Sequence, residues 1–237
     1  MSIESVGRTH TGCRRAVNED ALLERSEARM WAVSDGVGGH TAGDVASALV
    51  VERLAGCAPT GDLADRAAAA EQALLGVNTE LVELSRATEA PRGIGATVVA
   101  LLADGAAFTC LWAGDSRAYL ARDGVLVQLT KDHSLVQQLV DLGELEQSEA
   151  ATHPNANIIT RAVGGAATLK VDSVSGEVRP GDVFLLATDG LTRLVNDAEL
   201  AVSLGAPDLA AEADRLIQLC LDRGAPDNVT LVIVRAH

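Results

Sequence analysis

No apolar run in the chain approaches the roughly 20 residues that a membrane helix requires. The N-terminus, MSIESVGRTH, also lacks the apolar core of a signal peptide. The expectation is a cytoplasmic protein without a membrane partner. Positive charge is scarce, with 19 Lys and Arg against 33 Asp and Glu and a formal net charge of -14. Such a field does not attract a nucleic acid backbone or an anionic bilayer. The four cysteines, Cys13, Cys57, Cys110 and Cys220, are widely scattered. They show neither paired zinc spacing nor enough partners for a disulfide scaffold, and are expected to be reduced, mostly buried and chemically idle.

Several catalytic signatures are missing too. There is no Walker loop, Gly-x-Ser-x-Gly elbow or His-Glu-x-x-His helix, and GVGGH does not complete a dinucleotide fingerprint. A Cys-x5-Arg nucleophile fails at every cysteine, because the sixth residue onward is Glu19, Leu63, Ser116 or Pro226. An Asp-x-Asp-x-Thr motif is absent. These gaps exclude the common kinase, serine hydrolase and zinc protease sites, and both covalent routes of phosphate transfer.

What remains is a 237-residue chain, 48% hydrophobic, with no internal repeat or low-complexity linker, expected to fold as one domain over 1–237. SIESVGRTHTG and ALLERSEARMWAVS read as strands around the polar stretch CRRAVNED. From Gly43 the period becomes helical, with Val45, Ala46, Leu49, Val50 and Leu54 on one face. Asp62 is a candidate N-cap for a second helix through Leu74, Val77, Leu81 and Leu84. Asp104-Gly105 and Asp123-Gly124 each lie between strand-like runs and are predicted hairpin turns. Residues 131–165 are polar and turn-rich, with a short helix around Ser134 to Leu142, as suits a lid beside a site. Strands are predicted at Lys170 to Val178, Asp182 to Thr188 and Asn228 to Val234. Strands grouped around hairpins favour an α+β fold of antiparallel sheets flanked by helices.

Four acids stand out by position. In WAVSDGVGGHTAGDVAS, Asp35-Gly36 follows a strand and precedes a helix, and the glycines permit close backbone approach. Asp189-Gly190 repeats the arrangement in VFLLATDGL, Asp227 precedes the last strand, and Asp115 marks a break in CLWAGDSRAYL. Acids at separate strand ends suggest one shared metal site. Without Cys or His clusters they favour Mg²⁺ or Mn²⁺ over Zn²⁺. Two such ions about 4 Å apart lower the pKa of a bridging water and hold phosphate oxygens for in-line attack. The chemistry indicated is phosphate ester hydrolysis.

In order along the chain, RAVNED, SDGVGGHTAGDVAS, GIGATVVALL, WAGDSRAYL, LTKDHSLVQQLV, HPNANIITRAVGG, FLLATDGL and PDNVTLVIV resemble the bacterial metal-dependent Ser/Thr protein phosphatases of the PPM (protein phosphatase 2C-like) type. The resemblance implies a four-layer α-β-β-α sandwich with metals at one edge. It assigns Asp35 as the bridging ligand, the Gly36 carbonyl to one ion, and Asp189 and Asp227 to the other. Asp20 joins them in the inner or outer shell, beside Glu19. Asp115 corresponds to a ligand of a third, weaker ion shared with Asp189. Arg15 matches the arginine that grips the substrate phosphate, as a planar guanidinium can with two oxygens at once.

Val37 departs from the pattern, standing where eukaryotic members carry a histidine proposed to protonate the leaving group. The role then falls to a metal-bound water or to His40, which has an alternative as a structural residue closing the glycine turn. Ala96 replaces a threonine common in relatives. His133 and His153 match positions near the lid, where each would order a loop or touch substrate. By resemblance the protein is a monomer that dephosphorylates cytoplasmic phosphoproteins, including a cognate Ser/Thr kinase and its substrates, with a possible link to secretion systems. Two alternatives are a two-metal hydrolase of small phosphate esters and a catalytically silent module that keeps the fold.

Overall fold

The computed structural model describes residues 2–38, 42–90 and 93–237. The chain opens with β1 (Ile3–His10), β2 (Asp20–Arg25) and β3 (Met30–Val37), then α1 (Gly43–Ala55) and α2 (Leu63–Ala87). Next come the two-residue β4 (Gly95–Ala96), β5 (Val98–Asp104), β6 (Ala107–Ala113), β7 (Arg117–Arg122) and β8 (Val125–Gln128). After α3 (Leu135–Asp141) and a 3₁₀ segment at Gln147–Thr152 follow β9 (Asp172–Glu177) and β10 (Val183–Ala187). The short α4 (Asp189–Thr192), α5 (Asp197–Leu204), α6 (Leu209–Asp222) and β11 (Val229–Ala236) complete the fold.

Two antiparallel sheets result. One has the order β1-β11-β10-β7-β8; the other has β2-β3-β5-β6-β9, with β4 paired beside β3. Strand alternation sends successive side chains to opposite faces. On β5, Val99 and Leu101 enter the core between the sheets, while Val98, Ala100 and Leu102 face α1 and α2. On β10, Phe184 and Leu186 point inward, and Val183, Leu185 and Ala187 pack with the α5 and α6 residues Leu200, Leu209 and Leu216. Both faces of the central strands are therefore buried, which explains their continuous apolar runs. Three apolar interfaces separate four layers, the expected α-β-β-α sandwich. Phe108 of one sheet meets Phe184 of the other edge to face, ring centroids 5.0 Å apart.

Most local expectations hold. Asp62 caps α2 by accepting from the Asp65 amide at 2.9 Å, and both Asp-Gly hairpins form, with Asp123 and Gly124 left-handed (φ 52° and 78°) as a type I′ turn requires. ALLERSEARMWAVS is not one strand but β2 and β3, folded at Ser26–Ala28 and turned by a left-handed Arg29 (φ 48°). The turn contains neither Gly nor Pro, which hid the reversal. β3 does not break at Asp35-Gly36 but runs on to Val37. Val45 is exposed, because the buried face of α1 is centred on Gly43, Ala46, Ser47, Val50 and Leu54. All four cysteines are free, but only Cys110 and Cys220 are buried; Cys13 is exposed and Cys57 partly so.

A buried cation ties α2 to the β2–β3 turn. The Arg66 guanidinium donates to the carbonyls of Ala103 (3.1 Å), Arg29 (3.3 Å) and Ala28. Arg66→Met would remove all three of these bonds, the Arg29 carbonyl keeping the Ala103 amide at 3.0 Å, and should lower unfolding stability by about 2–3 kcal/mol. Arg86→Met, on the exposed end of the same helix, should change it by no more than ~0.5 kcal/mol. Urea titration of both variants checks the difference.

Candidate metal centre

The acids gather where the two sheets meet at one edge. Asp20, the first residue of β2, lies directly opposite Asp35 on β3. Asp189 opens α4 at the end of β10, Asp227 stands two residues before β11, and Asp115 lies on the crossover from β6 to β7. The Thr188 hydroxyl donates to Asp20 Oδ2 at 2.9 Å, joining one sheet to the other at the site.

Close backbone packing fixes these positions. The Gly36 amide donates to the Glu19 carbonyl at 3.0 Å. A Cβ at Gly36 would fall 2.0 Å from the Gly43 carbonyl oxygen, and one at Gly190 would fall 1.8 Å from that of Asn228. The glycine after each of these acids is thus required by contact between chain segments.

Thr97 holds the Asp35 backbone from both sides, its amide donating to the Asp35 carbonyl (2.8 Å) and its Oγ1 accepting from the Asp35 amide (3.0 Å). The same hydroxyl is 2.7 Å from Ser116 Oγ, beside Asp115. Buried Asn228 accepts from the Glu19 amide at 2.8 Å and donates to the carbonyls of Thr11 (2.8 Å) and Val17 (3.0 Å). It staples the loop that carries Arg15 to the start of β11.

Burial and crowding of like charge disfavour ionisation here. The Asp35 carboxyl is pushed well above its ordinary range by burial and by Asp189, Asp20, Asp115 and Asp227. Asp20 is raised to about 7 by burial, with Asp189 and Asp227 adding repulsion against hydrogen bonds from Thr230 and Thr188. Asp115 is also raised to about 7, by burial and by Asp189, against the pull of Arg193. Asp189 is raised by burial and Asp227, again opposed by Arg193.

Two arginines flank the acids. Arg15, about half exposed, donates to Asp227 Oδ2 at 2.7 Å and lies 3.6 Å from Glu19. Arg193 places Nη2 2.8 Å from Asp189 Oδ2 and 3.6 Å from Asp115 Oδ2. Its Nη1 donates to Asn157 of the 131–165 segment.

The structure thus brings together Asp20, Asp35, Asp115, Asp189, Asp227 and Arg15, with Gly36 on the same strand as Asp35. His40, with Gly39 before it, lies outside the described residues. Val37 is exposed and apolar, and carries no transferable proton. His133 orders a loop: its Nδ1 accepts from the Gly114 amide at 3.1 Å, its ring stacks on Trp112, and burial lowers its pKa. His153 accepts from the Asn155 amide at 3.1 Å within its own turn. Sequence reasoning missed Thr97, Thr188, Asn228 and Arg193. Thr97 and Asn228 act on backbone groups and Thr188 on a carboxylate 168 residues away, which no spacing reveals; Arg193 stands four residues after Asp189, a helical ion-pair spacing that was available to be read.

The donor set fits hard divalent ions. It consists of carboxylate and carbonyl oxygens, and Asp115 Oδ1 is buried without a hydrogen-bond partner, as a carboxylate set to receive a cation would be. Among the described residues, no three acidic, histidine or cysteine side chains are already drawn together as a finished ion shell. Beside the acids opens a cleft of about 620 Å³, bounded by Asp115, Asp189 and Arg193 at one end and reaching Arg223. Arg117, paired with Asp132 at 2.7 Å, lies along it.

A two-sheet sandwich with clustered acids and a flanking arginine makes a carboxylate cluster whose oxygen donors suit divalent cations. The chain belongs to the protein phosphatase 2C family, whose sequence profile matches residues 6–224. It is 42% identical over 236 residues to the serine/threonine protein phosphatase PstP of Mycobacterium tuberculosis, an alignment covering 98% of this chain. The chain spans 45% of the length of that relative. Among solved structures it superposes on PppA, described as a key regulatory component of the T6SS in Pseudomonas aeruginosa, with a TM-score of 0.94 at 40% identity, covering 100% of this chain and 99% of that one. It also superposes on the catalytic domain of PstP in complex with two manganese ions, with a TM-score of 0.87 at 38% identity, covering 98% of this chain and 97% of that one.

The raised carboxyls predict a pH dependence. In chelator, a folded-state carboxyl near 7 and an unfolded one near 3.8 mean that the folded chain binds more protons between those values. Stability should therefore fall as pH rises from about 4 to about 7, with the lowered His133 giving an opposite slope below its unfolded value of 6.5. Asp115→Asn should raise the stability of the chelated protein by on the order of 2 kcal/mol at pH 8 and flatten the curve. Thermal melts across pH would show both effects.

Proposed function

We propose that this chain is a metal-dependent protein Ser/Thr phosphatase acting on cytoplasmic phosphoproteins. The observation that carries the reading is the convergence of Asp20, Asp35, Asp115, Asp189 and Asp227 at one sheet edge, with Arg15 at their border. Membership of the family and likeness to named Ser/Thr phosphatases support it. Among the described residues no helix is long and apolar enough to cross a membrane.

Asp35, Asp189 and Asp227, with Asp20 and the Gly36 carbonyl, would hold two divalent ions, Mn²⁺ or Mg²⁺; Asp115 with Asp189 would hold a third, more weakly. When bound, the ions supply an activated water and neutralise charge on the phosphoryl oxygens. Arg15 binds those oxygens after releasing Asp227, its present partner. Thr97 and Asn228 keep Asp35 and the Arg15 loop in place. Thr188 fixes the orientation of Asp20. Val37 offers no proton to the departing seryl or threonyl oxygen.

The cleft beside the acids accommodates residues flanking the phosphate, and the 131–165 segment, which forms one wall through Ser134, Gln137 and Gln147, acts as its lid. The substrates include a partner Ser/Thr kinase. The likeness to the Pseudomonas protein supports a role beside a secretion system.

Phosphate release from a phosphothreonine peptide should require Mn²⁺ or Mg²⁺, stop in chelator, and fall at least 100-fold in Asp189→Asn, about 2.7 kcal/mol of transition-state stabilisation. Arg15→Ala should chiefly raise KM, by about tenfold, because it removes contacts made to the phosphoryl group in ground state and transition state alike. Full activity in chelator or in Asp189→Asn overturns the mechanism. Preference for a small phosphate ester over the peptide overturns the substrate class.

A further inference from the structure

Arg193 has no part in the family resemblance, yet it touches both ends of the site. One guanidinium nitrogen lies 2.8 Å from Asp189 Oδ2 and 3.6 Å from Asp115 Oδ2. The other donates to Asn157, 36 residues earlier in the chain, in the lid segment. The side chain is only about one-third exposed and lines the cleft where it meets the acids. Asp189 is also the partner that Asp115 would share for a third ion.

We propose that Arg193 is a positioning residue that competes with a divalent cation for the Asp115–Asp189 pair and, through Asn157, links that competition to the lid. The inference rests on the phosphatase reading. A guanidinium nitrogen within reach of both Asp189 Oδ2 (2.8 Å) and Asp115 Oδ2 (3.6 Å) occupies the space in which an ion shared by these two carboxylates would sit, and a doubly charged ion there repels it in a half-buried site. Cation entry therefore requires Arg193 to withdraw. Asp115 Oδ1, buried and unpartnered, is the atom free to receive the cation first. Asn157 sits in a tight turn in which the Ile158 amide donates to the Asn155 carbonyl at 3.1 Å and the Leu135 amide donates to the Ile158 carbonyl at 2.8 Å. Movement of Arg193 thus acts on the segment that packs against the N-terminus of α3.

Mn²⁺ binding followed by the electron paramagnetic resonance of free Mn²⁺, with MnCl₂ as the only added ligand, tests the competition. In Arg193→Ala the weakest class of bound ion should tighten at least tenfold over the parent, and adding Asp115→Asn should abolish the gain. Arg193→Lys, which keeps the charge, should stay close to the parent. Hydrogen exchange supplies a second readout: saturating Mn²⁺ should speed exchange of the amides at 155–158 in the parent, and Arg193→Ala should already show the faster rate without metal. Superimposable isotherms for parent and Arg193→Ala, or a gain that survives Asp115→Asn, overturn the assignment while leaving the phosphatase reading intact. Absence of Mn²⁺ binding in parent and variants alike overturns both. Arg193→Gln, which keeps the bulk and a hydrogen bond to Asn157, should also tighten the weak ion, so loss of folding in the alanine variant would not protect the proposal.

Discussion

Asp20 and Asp35 are cross-strand neighbours whose carboxylates share a confined space with those of Asp189, Asp115 and Asp227. Like charges directly opposite one another on a sheet destabilise it, and here burial adds a desolvation penalty to the repulsion. The register of β2 on β3 leaves no way to relieve it. Sliding β2 by one residue would turn Leu23 away from α1 and α2, and sliding β3 would do the same to Met30 and Ala32 while turning Trp31 and Val33 out of the core between the sheets. The apolar core therefore enforces an electrostatically unfavourable arrangement, which a bound cation would relieve.

The surroundings restrain the conflict rather than remove it. Thr188 gives Asp20 a donor, while Arg15 and Arg193 give Asp227 and Asp189 countercharges. None of these neutralises Asp35, whose carboxyl remains the most crowded of the set. The two arginines stand in different structural settings. Arg15 belongs to a loop fixed by Asn228 and pairs with Asp227. Arg193 directly follows the short helix that begins with Asp189 and reaches across to Asn157 of the 131–165 segment. Countercharges held on side chains this exposed can change partners at little cost, which suits a centre whose occupants come and go.

Much of this was legible in the sequence. Repeated Asp-Gly pairs after apolar runs pointed to Asp35 and Asp189, and the contacts of Gly36 and Gly190 show the physical reason: no side chain fits at either point. Hairpin signals pointed to antiparallel sheets flanked by helices, and the four-layer sandwich came from the family resemblance. The β2–β3 reversal was illegible because its turn, SEAR, contains neither Gly nor Pro and depends on Arg29 adopting a left-handed conformation. The misplaced Val45 shows how a helix one residue out of phase still scores well on periodicity. Thr97 and Asn228 escaped notice because their work is done on distant backbone groups, known only once the chain has folded.

Calorimetric unfolding of the parent and of Asp35→Asn, first in chelator and then across a series of MnCl₂ concentrations, tests the central claim most directly. The account predicts a parent midpoint that climbs steadily with Mn²⁺, by the equivalent of about 2.7 kcal/mol once Mn²⁺ stands 100-fold above the dissociation constant. It also predicts an Asp35→Asn midpoint that starts above the parent in chelator and barely moves with metal. A parent indifferent to Mn²⁺, or an Asp35→Asn variant that responds as the parent does, would contradict the view that these crowded carboxylates are held in place to bind cations.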